Sequence, residues 1–230
     1  MSQVPFKLEN VVPWGRSLQN YCEMFNLGEA EFQGKILDCA GGPSSFNAEM
    51  TGLGRSVVSC DPIYQFTVDD LKGRIQATYP VILEGLKTNF ERFVWQEVDT
   101  PEQLGEVRLA AMRRFLADLP QGLAEGRYLT LTLPELPFPD SRFDLALCAH
   151  LLFTYSEQFD FEFHKKAIVE LCRVAQEVRI FPLVENFTGE RSRHLDPLLD
   201  WLTQQQYQWE IQPVAYEFQR GGNEMLRLTL

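Results

Sequence analysis

Two aspartates that each close an apolar run are the residues most able to do chemistry in this sequence. Asp38 follows Lys35-Ile36-Leu37 and opens into Cys39-Ala40-Gly41-Gly42-Pro43. Asp61 follows Ser56-Val57-Val58-Ser59-Cys60 and stands 23 residues further on. A strand that ends in a carboxylate and turns through glycines into a helix is how α/β proteins build a nucleotide crevice, because glycine lets backbone approach a ligand where a Cβ would collide. The interval suits one strand–helix–strand unit, which sets the second carboxylate beside the first, able to accept hydrogen bonds from both hydroxyls of a ribose. The reading is an adenosine-type ligand. His150 is the candidate general base, because it follows a buried strand and an imidazole titrates near neutral pH. A structural imidazole bonded to backbone is its competing reading.

The elements that must position these groups alternate along the chain. Strands are expected near 35–39, 56–60, 127–131, 142–148 and 177–183, the fourth of them nearly all apolar, as a strand covered on both faces should be. Helices are expected over 17–25, from a Ser44 or Ser45 cap to Gly52, over 160–175 from an Asp160 cap, and over 195–206. Two last runs, 208–218 and 224–230, flank Arg220-Gly221-Gly222-Asn223, a hairpin signal. The 66 residues between Asp61 and Tyr128 exceed what one crossover needs. One helix starts there at Thr67 and is interrupted at Pro80; another starts at Thr100-Pro101-Glu102-Gln103 and runs to Leu119, before Pro120. The whole is one domain, 1–230, with an N-terminal arm and helix (1–34) and a helical insertion (62–127). The insertion's aromatics (Phe66, Tyr79, Phe90, Phe93, Trp95) line a pocket, pack a core, or pair two copies of the chain as a homodimer; spacing leaves all three open.

Composition narrows the partners. The formal net charge of −11 disfavours an extended nucleic-acid surface and favours a small molecule. No apolar run approaches the ~20 residues of a membrane span, and Met1-Ser2-Gln3-Val4-Pro5-Phe6-Lys7 lacks a signal-peptide core. Five cysteines with no Cys-x-x-Cys pair read as buried thiols in a cytoplasmic protein. No metal site is read, since His150, His164 and His194 have no ligand spacing.

Three stretches carry a family resemblance over roughly residues 35 to 230. Ile36-Leu37-Asp38-Cys39-Ala40-Gly41-Gly42-Pro43-Ser44 is similar to the glycine-rich cofactor loop of the class I S-adenosylmethionine-dependent methyltransferases. Val57-Val58-Ser59-Cys60-Asp61 is similar to their second strand with its ribose-binding acid, and 133–145 resembles their approach to strand four. The resemblance implies a doubly wound, mostly parallel seven-stranded sheet, the Rossmann-like methyltransferase fold, ending in an antiparallel hairpin. It implies S-adenosylmethionine as cofactor, Asp38 facing its methionine end, the backbone of Ala40, Gly41 and Gly42 passing along it, and Asp61 on the ribose. Ala149 and His150 would border the methyl group. Ala40 and Ser44 stand where the family usually has glycine. Thr132 stands where many members place an aspartate for the adenine, so backbone around Thr132 and Leu133 would replace that contact. Arg16, in Pro13-Trp14-Gly15-Arg16-Ser17, would pair with the cofactor carboxylate if the arm folds over the crevice; an arm that only packs on the sheet is the alternative. A non-catalytic S-adenosylmethionine-binding protein and an NAD(P)-dependent oxidoreductase are the competing functions. The second would want a third glycine after Gly42, where Pro43 instead removes an amide from the helix start.

Overall fold

A computed structural model describes residues 14–95, 98–186 and 188–229. Seven strands form one sheet: β1 (Ile36–Cys39), β2 (Val57–Cys60), β3 (Tyr128–Leu129), β4 (Phe143–Ala149), β5 (Ala175–Phe181), β6 (Gln208–Pro213) and β7 (Glu224–Thr229). Their order is β3-β2-β1-β4-β5-β7-β6. β1 to β5 are parallel and β7 enters antiparallel between β5 and β6. This is the Rossmann-like methyltransferase fold. The central strands are sealed on both faces, and β4 is buried at every position but Asp144, so its apolar run is what a covered strand requires. β6, at the edge, alternates exposed and half-buried residues.

Helices cover both faces. α1 (Leu18–Phe25) and α2 (Phe46–Gly52) bury Tyr21, Met24, Phe25, Phe46 and Met50 against one side. α5 (Phe161–Val174) and α6 (Leu195–Gln204) bury Ala167, Ile168, Leu171, Leu198 and Leu202 on the other. The expected cap is made at α5, where Asp160 accepts from the Phe163 amide (2.8 Å); α1 is also capped, Ser17 Oγ accepting from the Asn20 amide (3.3 Å). At α2 Ser45 occupies the cap position without a side-chain bond to the helix backbone, and it is Ser44 Oγ that accepts from the Phe46 amide at the helix start (3.1 Å).

Between β2 and β3 lie α3 (Val68–Thr88) and α4 (Pro101–Ala124). Both prolines expected to end helices sit inside them, Pro80 in α3 and Pro120 in α4. A proline removes one ladder bond, but here the helices pack on each other through Leu71 and Ile75 against Met112, Phe115 and Leu119, and through Ile82 and Leu86 against Leu104. That burial outweighs the lost bond. No helix of the described residues is long and apolar enough to cross a membrane.

Candidate active site

The glycine turn after β1 folds back over its own strand end. Ala40 and Gly42 adopt left-handed backbone, φ 59° and 55°. Gly41 is fixed by space, since a Cβ there would meet Asp38 Oδ2 at 2.3 Å and Tyr64 Oη at 2.8 Å. Asp38 therefore lies beneath the turn, almost wholly buried, accepting hydrogen bonds from Tyr21 Oη and Ser59 Oγ, both at 2.9 Å. It does not line the cleft as expected. Burial pushes its carboxyl up to about 7, against the lowering by those two hydroxyl donors.

Asp61 does line the cleft. Oδ1 accepts from the Ile63 amide (2.9 Å) and Oδ2 from the Gly42 amide (3.0 Å), and burial raises its pKa while those two amides lower it. The carboxylate thus caps the short 3₁₀ turn at Pro62–Gln65 and ties the β2 end to the glycine turn. Each oxygen keeps a lone pair for a further donor.

Two cavities meet above this turn, sharing Ala40, Gly42, Pro43, Asp61 and Leu151. One, of about 240 Å³, is lined by Ile63, Thr132 and Leu133, with Arg74 at its rim. The other, of about 150 Å³, takes in Arg16, Ala149 and His150. The sequence-derived residues Arg16, Ala40, Gly41, Gly42, Asp61, Thr132, Leu133, Ala149 and His150 all come to this bipartite cleft.

The segment 14–16 lines the smaller cavity through Trp14 and Arg16. Arg16 O accepts from Ser45 N (3.0 Å) and Ser44 Oγ (2.8 Å). Gly15 presses so closely that a Cβ would meet Pro43 O at 2.4 Å and Met112 Cγ at 2.6 Å. Residues 1–13 of the expected arm lie outside those described. Arg16 donates from Nη1 to Trp14 O (3.1 Å), while its buried Nε has no partner.

His150 sits at the β4 terminus with φ 50°, donating its amide to Phe181 O (2.7 Å), its ring edge-on to Phe181. Its Nε2 is buried and unpartnered. Burial first, then the charges of Arg16 and Arg108, hold its pKa well below the ordinary value. The expectation of titration near neutral pH is corrected: desolvation and two cations keep the ring neutral. His164 and His194 pair elsewhere, rings 4.7 Å apart. Of the insertion aromatics, Phe93 reaches the cleft, stacked on Phe218 at 4.7 Å. Phe90 stacks on Trp95 (4.6 Å) beside that pair.

Sequence reasoning did not single out Tyr21, Thr154, Asn186, Phe218 and Gln219 as cleft residues, nor Arg108 behind them. Arg108, on α4, is buried and holds Asn20 Oδ1 and Tyr216 Oη (2.6 Å to the latter). A cation on an amphipathic helix reads as solvated, so only its position on the buried stripe with Leu104, Ala111 and Met112 hinted otherwise.

No family model matches the chain. It is similar to the uncharacterized protein MJ0045 of Methanocaldococcus jannaschii, 34% identical over 220 residues that span 95% of this chain and 96% of that one. The chain belongs to that protein's family. Solved structures similar to it include magnesium protoporphyrin IX methyltransferase from Synechocystis PCC 6803 with bound SAM (12% identity, TM-score 0.43, 85% of this chain and 69% of that one). A SAM-dependent methyltransferase from Aquifex aeolicus gives 15%, 0.42, 91% and 90%. One from Methanosarcina mazei gives 15%, 0.43, 86% and 91%.

Proposed function

We propose that this chain is an S-adenosylmethionine-dependent methyltransferase acting on a small-molecule acceptor in the cytoplasm. The observation that carries the reading is the bipartite cleft pivoted on Asp61: a backbone-fixed carboxylate with free lone pairs between two mostly apolar cavities, the smaller of which also holds Arg16, His150 and Thr154. The residues fit that cofactor. Asp61 would take the ribose hydroxyls, and Ile63, Leu133 and backbone near Thr132 would hold the base. Gly42 opens toward space where a Cβ would meet nothing within 4 Å. Arg16 and Trp14 would stand where the methionine end meets the acceptor. When bound, the cofactor would supply an electrophilic methyl on a sulfonium whose sulfur keeps the bonding pair as the methyl leaves. What the chain must add is position, which supplies roughly 7–11 kcal/mol in favourable systems. The neutral His150 ring, with Nε2 free, would orient the nucleophile through a hydrogen bond, since the burial and the two cations that keep it neutral make it a weak proton acceptor. The cavity of about 150 Å³ is on the scale that holds one aromatic ring, which favours a small acceptor. Five free cysteines, four buried, agree with a reducing compartment.

Calorimetric titration with S-adenosylmethionine, its demethylated product and NAD(P)H tests the reading. Binding of the first two alone supports it. Dinucleotide binding with no response to the others would replace it with the oxidoreductase. Cofactor binding without methyl loss on any acceptor panel would leave the non-catalytic binder.

A further inference from the structure

The polar atoms around the smaller cavity are short of acceptors. Arg16 Nε and Arg108 Nε, which can only donate, and Thr154 Oγ1 are buried with no partner. Thr154 and Arg108 are 7% and 3% exposed. Arg108 spends its terminal nitrogens on two neutral oxygens, and Arg16 spends one on a carbonyl. Among the described residues neither guanidinium has a carboxylate at ion-pair distance. Burial and then the charge of Arg108 lower the Arg16 pKa, and no carboxylate is among the groups that act on it. Arg108 is a buried cation and Arg16 a half-buried one, and a desolvated charge without an anion is costly. The carboxylate that lines this cavity, Asp61, is bonded to two amides at the junction with the other cavity, and Asp38 is sealed under Gly41.

On the methyltransferase reading, the cofactor cannot supply the balance. It brings one carboxylate but also an ammonium and a sulfonium, a net gain of one positive charge. With two guanidiniums already there, the site is left with unmatched cationic potential, strengthened by its low-dielectric walls. Those walls are Ile82, Leu86, Phe93 and Phe218.

We propose that the methyl acceptor is an anion: a small molecule with an apolar, ring-sized body against Phe93 and Phe218 and one carboxylate or phosphate group drawn to Arg16 and Thr154, with Arg108 behind. The oxyanion completes the orphaned donors of Arg16 and Thr154. Arg108 is a positioning residue, acting through its field and through Tyr216 and Asn20 rather than by contact with the acceptor. Electrostatic attraction selects the anion, and the apolar body excludes water.

The test is calorimetric titration with benzoate, phenyl phosphate and the uncharged benzamide, with and without saturating S-adenosylhomocysteine, on the native protein and on Arg108→Gln and Arg108→Lys. Benzoate or phenyl phosphate should bind at least roughly tenfold tighter than benzamide, and whichever of the two binds tighter identifies the oxyanion. Arg108→Gln should weaken that probe about tenfold, Arg108→Lys should restore most of it, and S-adenosylhomocysteine affinity should hold in both variants, which also reports that they fold. Equal binding of benzamide, no binding of either anion, or an Arg108→Gln protein that binds the anion normally overturns the proposal. If S-adenosylhomocysteine itself fails to bind, the methyltransferase reading falls separately, and the titrations without it still decide the preference for anions.

Discussion

Both oxygens of Asp61 already accept a backbone amide, so its structural and ligand roles can be separated by substitution. Asp61→Ala should weaken cofactor binding by roughly 1.5–3 kcal/mol, tenfold to over a hundredfold. Asp61→Ser, which keeps an acceptor for Ile63, should recover stability but not affinity; calorimetry and thermal melting separate the two, and unchanged affinity in the alanine variant removes the ribose role. Asp38 makes a pH prediction. An acid raised from 3.8 to about 7 binds its proton more tightly folded than unfolded, so between those values the native state holds more protons. Stability therefore falls as pH rises from about 4 to 7 and is flat above, a swing of roughly 4 kcal/mol. Asp38→Asn should flatten that slope in urea titrations at several pH values; a slope unchanged in the variant would assign the titration elsewhere. Ala40 carries strain at φ 59°. A left-handed non-glycine costs about 1–2 kcal/mol and glycine's extra chain entropy costs about 0.5–1, so Ala40→Gly should be neutral to stabilising by about 1 kcal/mol in thermal melting. A loss of 1 kcal/mol or more would contradict it.

The segment 14–16 works because Gly15 has no side chain between Pro43 O and Met112 Cγ. Gly15→Ala should lift it, breaking the bonds from Ser44 and Ser45 to Arg16 O, with a lowered melting temperature and weaker cofactor binding. A variant with native affinity would reduce the segment to packing. Legibility followed how local each signal is. The glycine turn, Asp61 and the edge near Thr132 were readable because strand ends and turns announce themselves within a few residues. Arg108 and Phe218 come to the cleft from α4 and from the 214–223 connection, and nothing local marks that convergence. The prolines misled for the same reason: Pro80 breaks an isolated helix, but the face shared by α3 and α4 overrides it. The placement of Asp38 depended on a packing detail, Gly41 lying on its carboxylate, that motif spacing does not encode.

At the scale of the molecule, the hydrophobic contacts divide into two large clusters on the faces of the sheet and two smaller ones under α3 and α4. The smaller clusters bury less apolar area and should open first. Native-state hydrogen exchange should find the amides of β1, β4 and β5 slowest, those of α3 and α4 faster, and those of β6 fastest among the strands. Protection in α3 equal to that in β4 would contradict it. The parallel core and the antiparallel terminal pair were readable from strand–helix alternation and the terminal hairpin signal. A further consequence attaches to β7, which pairs with β5 through 177–180 and with β6 through 208–213. β6 emerges from the ribosome before the strand it must lean on. Until residues 224–229 are translated, β5 offers a bare edge to any neighbouring nascent chain, so chaperone demand and aggregation risk should peak late in synthesis.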